Sequence, residues 1–191
     1  IPTVSGIREA IMCNNIAESD DKKFVIHLKV DTGMTRLGCN LNEVKELVSR
    51  IDCLGKLSLE GIYSHLAMAD TYSCKDVNES FTQVQLIRFE KVVNSLGRRK
   101  KFLCRHLANS AGTLSDSRLH LDMVRVGLSL YGYLPLDNIE SNLKLMPALK
   151  VKARVTLIRE VEKGTGVGYG HLFKTKRDSK LAVVAIGYAD G

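Results

Sequence analysis

Phe24-Val-Ile-His-Leu-Lys-Val-Asp-Thr-Gly-Met-Thr-Arg-Leu-Gly38 begins as an apolar, β-branched run and ends on a lysine, an aspartate and an arginine. Phe24 to Val30 predicts a strand. Working outward, Leu41 to Leu54 carries Val44, Leu47, Val48, Ile51 and Leu54 at helical spacing, with Asn40 as a cap and Glu43 just after it. Leu59 to His65 predicts a second strand, and Glu79 to Leu96 a second helix with Phe81, Val84, Phe89, Val92, Val93 and Leu96 on one face. Phe102 to Leu107 and His120 to Gly127 predict two further strands, joined by a polar segment from Ser110 with room for about two helical turns. Strand and helix alternating in this way imply parallel strands with crossovers.

Beyond Tyr133 the texture changes. Pro135, Asp137, Asn138 and Pro147 break the pattern, and Leu149 to Val161, the run Gly164-Thr-Gly-Val-Gly-Tyr-Gly-His171 and Leu181 to Tyr188 predict a β-rich second domain. The expected fold is α/β: the second half of a (β/α)8 TIM-type barrel over 1–134, then a linker and the beginning of a β-rich C-terminal domain over 135–191. A closed barrel needs eight strands and about 250 residues, so the predicted strands amount to half of one. With its final strand expected to stop at Gly191 in mid-element, the chain reads as a fragment.

Composition narrows the class. The 191 residues are 45% hydrophobic and 26% charged, enough apolar material for a true core. No run of about 18 apolar residues occurs and Ile1 to Ala10 lacks the features of a secretory signal, so a soluble, cytoplasmic protein with no membrane partner is expected. The cysteines (Cys13, Cys39, Cys53, Cys74 and Cys104) are scattered and form no Cys-x-x-Cys pair, which favours reduced core residues over a metal site. The net charge of +7 and the tract Arg98-Arg-Lys-Lys101 raise nucleic acid as a partner, but the tract follows an amphipathic helix and has no interleaved aromatics, so a solvated helix end is expected.

Charge at the strand ends now has a use. In parallel barrels the chemistry sits on the loops at the carboxyl ends of the strands. The predicted strands deliver Lys29, Asp31 and Arg36 from the first, His65 from the second, His106 with Asn109 and Ser110 from the third, and Arg125 with Gly127 from the fourth. Any one of these has a bland reading as a core histidine or a salt bridge. All strand ends agreeing points to a site. Ser110 at a helix start and Gly127, which lets a ligand come close to the backbone, suggest an anion such as phosphate, and no G-x-x-x-x-G-K motif suggests a nucleotide loop.

The ordered motifs HLKVDTGMTRLG, GIYSHLAMAD, HLANSAGTL, DMVRVGLSLYG, GVGYGH and IGYADG resemble those of alanine racemases over nearly the whole chain. The resemblance implies a pyridoxal 5'-phosphate enzyme with a barrel domain and a β domain, acting as a homodimer with a shared active site. It would turn L-alanine into D-alanine, the supply for cell-wall peptidoglycan, by a two-base mechanism. By the same resemblance Arg36 contacts the cofactor's phenolic oxygen and the substrate carboxylate, and Tyr188 lines the substrate entrance. Arg125 faces the cofactor's pyridine nitrogen, where a guanidinium cannot readily release a proton. His65, His106, Asn109, Ser110, Gly127 and Leu128 belong to the cofactor-binding set, Lys29 is a carbamylation site in many members, and Tyr169 is the second catalytic base.

Leu66, Met68 and Gly112 depart from the residues usual in the family at positions expected beside the site. The family's cofactor-binding lysine stands in a Lys-Ala-Asn-Ala-Tyr-Gly context that no lysine here shares, so these residues by themselves are expected to be inactive. A serine or broad-specificity racemase of the same fold, and a noncatalytic pyridoxal phosphate-binding protein or remnant, are the alternatives.

Overall fold

Side chains along a strand point alternately to opposite faces, and this decides which side of the sheet becomes core. The structure, a computed structural model, describes residues 1–71, 80–135 and 143–190. It contains β1 (Thr3–Val4), α1 (Ile7–Ser19), β2 (Phe24–Lys29), α2 (Val44–Asp52), β3 (Leu57–Tyr63), α3 (Phe81–Ser95), β4 (Cys104–His106) and α4 (Ser110–Ser115). These strands form one four-stranded parallel sheet in the order β1-β2-β3-β4. Ile26, Leu28 and Val30 are fully buried with Val44, Leu47, Val48 and Ile51 of α2 and Phe89, Val92 and Val93 of α3. Each such side chain contributes roughly 1.5–3 kcal/mol by leaving water. His27 and Lys29 alternate to the other face.

A β-bulge tunes that second face. Ile26 pairs with Leu59 but His27 with Gly61, which leaves Glu60 without an opposite number. Lys29 then pairs with Tyr63. A Cβ on Gly61 would lie 2.5 Å from Cδ2 and Nε2 of His27, so only glycine lets the imidazole lie across β3. Gly38 is equally constrained: at φ +131°, its Cβ would lie 2.6 Å from the Asp31 backbone nitrogen, where the chain folds back beside β2.

The division into units falls late. Residues Ile1–Ala148 make one unit and Leu149–Gly191 another. In the second unit, β5 (Val155–Val161) pairs antiparallel with β8 (Ser179–Val184), and β6 (Gly166–Val167) with β7 (Phe173–Lys174).

Several expectations change. His120 to Gly127 is not a strand; Leu121 has φ 50°, which interrupts extended backbone, and only Met123 makes an isolated bridge, to His106. The segment is held instead by Asp122, whose carboxylate takes two bonds from the Arg105 guanidinium at 2.7 and 2.8 Å. The fourth strand of the sheet is Thr3–Val4, preceding a helix the spacing rules passed over because its buried stripe is Ala10, Asn14 and Ala17 while Ile11, Met12 and Ile16 face outward. Val84 is also turned outward, and Gln85 takes the interior place. The last strand ends at Val184, short of Tyr188. Cys53 is exposed rather than core. The basic tract is a 3-10 helical end, Gly97–Phe102, with Arg99 on Asp52 and Lys100 on Asn94, and the third predicted strand therefore starts only at Cys104. Cys74, Glu79, Asp137, Asn138 and Gly191 lie outside the described residues. Among the described residues no helix is long and apolar enough to cross a membrane.

Candidate active site

Arg125 occupies the centre of the polar face although no strand carries it. Its backbone N–H donates to the Ala108 carbonyl at 3.0 Å, which sets the segment beside the end of β4. One guanidinium nitrogen donates to His106 Nδ1 at 2.6 Å. The other donates to the carbonyls of Ser64 at 2.7 Å and Leu107 at 3.3 Å, and approaches His65 Nδ1 at 3.5 Å. The guanidinium carbon lies 4.8 Å from the Tyr63 ring centroid, and that ring stacks on His106 at 4.5 Å. Every partner is neutral. Three of the five N–H groups are used this way; Nε–H and one Nη1–H have no acceptor among the described residues and remain for a ligand.

The hydrogen-bond directions fix two tautomers. A guanidinium only donates, so His106 Nδ1 accepts and its proton resides on Nε2. That nitrogen lies 2.9 Å from His27 Nδ1, which must accept in turn. Burial, with Arg125 and His27 adding, pushes the His106 pKa down to about 3. Burial is also the main cause lowering His27 and His65, the latter helped by Arg125, Arg36 and Lys29. His27 opens the first motif but is given no role there. Its signal in the sequence is a polar residue alternating with Ile26 and Leu28 opposite a glycine, but pairing with Gly61 requires the bulge.

Histidines held neutral make the fold sensitive to acid. The unfolded chain takes up a proton on each near pH 6.5, whereas folded His106 resists until about 3. Between those values the unfolded state binds more protons, so stability falls as pH drops. Urea midpoints measured from pH 7 to 4 are expected to decline, and His106→Gln, whose amide can accept from Arg125 and donate to His27, should flatten the decline. An unchanged slope in that variant would exclude His106 as a source.

Cations crowd the strand ends. Lys29 is only 7% exposed, its ammonium is 5.7 Å from the Tyr63 ring centroid, and burial, then Arg36 and Arg125, lower its pKa while Asp31 opposes. Arg36 itself is exposed, on a loop shaped by Asp31, whose Oδ1 accepts from Gly33 and Thr35 at 2.8 and 3.1 Å. Asp31 is thus engaged with backbone, and the excess positive charge suits an anionic ligand.

The loops after β4 supply hydroxyls. Asn109 caps α4 by accepting from Gly112 at 2.9 Å. Ser110, the first residue of α4, accepts from the backbone nitrogens of Gly127 at 2.9 Å and Ser129 at 3.3 Å, and so ties the two loops together. Its own hydrogen has no acceptor among the described residues. Ser129 Oγ is buried with no partner among the described residues. At Gly127 the position of a Cβ has no protein atom within 4 Å, and Leu128 opens a 3-10 turn that ends at Tyr131. Leu66 lies in the core beneath these loops, where its Cδ1 is 2.7 Å from the place of a Cβ on Gly112; the two departures from the family pattern fit each other and neither lines the site, and Met68 is exposed.

In the second unit Tyr169 and Tyr188 are 99% and 100% exposed. Tyr169 opens a 3-10 turn between Gly168 at φ 70° and Gly170 at φ 68°.

Residues 1–135 match the model of the alanine racemase N-terminal domain and 148–191 that of its C-terminal domain. The chain belongs to the alanine racemase family. An alanine racemase from Prochlorococcus marinus is 59% identical over 191 residues, covering 100% of this chain and 49% of that one. Among solved structures, the alanine racemase of Streptomyces coelicolor superposes with TM-score 0.82 at 30% identity, over 100% of this chain and 50% of that one. The Bartonella henselae alanine racemase, solved with covalently bound pyridoxal phosphate, superposes with TM-score 0.73 at 30% identity over the same shares, 100% and 50%. The chain spans about half the length of the curated relatives it matches. The sheet and helices of the first unit are part of the family's TIM barrel, followed by its C-terminal domain.

Proposed function

We propose that the full-length protein to which these residues contribute racemises alanine with pyridoxal 5'-phosphate, as a cytoplasmic homodimer that supplies D-alanine for the cell wall. The observation that carries this reading is Arg125: a half-buried guanidinium whose acceptors are all neutral, with two N–H groups left over among the described residues. The donor set fits the cofactor. Ser129 Oγ is a buried hydroxyl without a partner among the described residues, Ser110 has a hydrogen to give, and the open space at Gly127 lets a phosphate ester approach backbone. His65, Asn109 and Leu128 complete the set.

When bound, pyridoxal phosphate supplies the conjugated system that makes an amino acid's α proton removable. Arg125 would hold the ring nitrogen by donating to it, and since a guanidinium keeps its proton the ring would stay less electron-withdrawing than a pyridinium. Arg36 holds the substrate carboxylate by charge and a forked hydrogen bond. Lys29, with its pKa lowered, has amine available for carbamylation, and the resulting anion would offset the cations of Arg36 and Arg125. Tyr169 of a second copy of the chain moves a proton at the α carbon on one face, and Tyr188 lines the entrance. The barrel domain is assigned to 1–134 and the C-terminal region, with its linker, to 135–191.

The test is to assay the full-length protein with cofactor for conversion from both alanine enantiomers, with serine as comparator. Residues 1–191 alone, given pyridoxal phosphate and borohydride, are expected to show no stoichiometric lysine label and no D-alanine. A full-length protein that binds cofactor without racemising any amino acid would overturn the reading.

A further inference from the structure

Gln85 is fully buried on α3, on the same face as Leu86, Phe89, Val92 and Val93. Packing alone asks for no amide there, because an apolar residue of the same length would fill the space without polar atoms to satisfy. Its amide is fully engaged. Nε2 donates to Thr32 Oγ1 at 3.0 Å and to the His65 carbonyl at 2.9 Å, while Oε1 accepts from the Ala67 N–H at 2.8 Å. Since a backbone N–H only donates and a carbonyl only accepts, the amide can sit one way round.

These partners belong to two loops. Thr32 lies on the loop after β2, four residues before Arg36, and its hydroxyl is 2.8 Å from Ser64 Oγ. His65 and Ala67 lie on the loop after β3, and the Ser64 carbonyl in that loop accepts from Arg125. The helix grips the first loop again at neighbouring positions. Arg88 donates to the Thr32 carbonyl at 3.0 Å, and Phe81 Cζ is 2.5 Å from where a Cβ on Gly33 would be. Arg36 is exposed on the free part of this loop, so the loop's anchorage sets where its guanidinium goes.

We propose that Gln85 is a positioning residue that locks the Arg36 loop to the His65 loop, and so sets the substrate-carboxylate cation in register with the rest of the site. The proposal rests on the racemase reading for what the register serves. Gln85 touches no reacting atom and acts through Thr32 and the His65 carbonyl.

The experiment uses the full-length protein with cofactor bound. Gln85→Met keeps length and apolar volume but makes none of the bonds; Gln85→Glu keeps an acceptor for Ala67 yet, ionised, donates to neither Thr32 nor His65. Phe89→Leu is the comparator, a core change on the same helix face by a side chain that makes no hydrogen bond to either loop. For Gln85→Met the KM for alanine is expected to rise about tenfold while kcat changes by less than about threefold, and exchange of the Ala67 amide should speed up at least about tenfold. Gln85→Glu should raise KM at neutral pH and recover as pH falls and the carboxyl regains one donor. Phe89→Leu should lower the unfolding midpoint and leave KM within about twofold. If the wild type racemises and Gln85→Met moves KM no more than Phe89→Leu does, whether or not Ala67 exchange changes, Gln85 is only a packing residue and the proposal fails. Absence of racemisation in the wild type would instead sink the racemase reading.

Discussion

Arg125→Glu in the full-length protein is expected to cut racemisation by about 10²- to 10³-fold, the loss typical of removing one preorganised donor at a reacting centre. The wild-type guanidinium gives hydrogen bonds to His106 Nδ1 and to the carbonyls of Ser64 and Leu107. A carboxylate can give none. Two buried carbonyls lose their donor, at about 1–3 kcal/mol each where water does not replace it, so the urea midpoint should fall. His106 reports the change independently of activity. Its pKa is held near 3 by burial, then Arg125, then His27; the variant removes the second influence and puts an anion in its place, so the imidazole should titrate closer to its ordinary value. A carboxylate beside the pyridine nitrogen also favours its protonation, which strengthens electron withdrawal and should bring measurable transamination. Rates from both enantiomers, product analysis and an NMR titration of His106 test the three consequences. Normal racemisation with His106 unmoved would mean that Arg125 does not govern the ring nitrogen.

What could be read from sequence divides along a physical line. β2, α2 and β3 were legible because their apolar periods are regular, and they emerge at Phe24–Lys29, Val44–Asp52 and Leu57–Tyr63. Residues at the strand ends were legible because charge in such places has few structural uses; Lys29, His65, His106 and Arg125 do come together. The failures come from features that periodicity does not encode. α1 buries alanine and asparagine and shows isoleucine to solvent, so its apolar pattern is inverted. His120 to Gly127 looks β-rich, but one left-handed residue at Leu121 and the Arg105 clasp on Asp122 hold it as an irregular segment. His27 and Gln85 escaped notice for a shared reason. A buried polar residue declares itself only through its partners, and these partners are distant in sequence: His106 is 79 residues from His27, and Thr32 is 53 from Gln85.

The polar face also shows how the fold keeps a charged site stable. Three cations, Lys29, Arg36 and Arg125, face one carboxylate, Asp31, which is itself bonded to its own loop. Adding protons to the histidines between them would compound the repulsion, and burial together with the fixed tautomers of His106 and His27 prevents it. The excess of positive charge among the described residues is one that a bound anion would offset.

Tyr169→Phe should have the other large effect, and a more selective one. The residue is 99% exposed in its own unit and sits on a turn formed by left-handed glycines on either side. Removing an exposed hydroxyl leaves folding almost unchanged, so the unfolding midpoint should stay within about 0.5 kcal/mol of the wild type. A phenol is by itself a weak base. It becomes useful only where positive charge favours the phenolate, and such charge is what Lys29, Arg36 and Arg125 gather in the first unit. Placed against that cluster in a second copy, Tyr169 would move the α proton on one face, and losing it should cost about 10²- to 10⁴-fold, the range for a positioned acid–base group. Cofactor absorbance should persist, because nothing in the cofactor's donor set changes. Exchange of the α hydrogen with solvent deuterium separates the steps: the variant should retain exchange from one enantiomer through the remaining base and lose inversion. Near-normal inversion from both enantiomers would remove Tyr169 from proton transfer and leave it as an exposed turn residue.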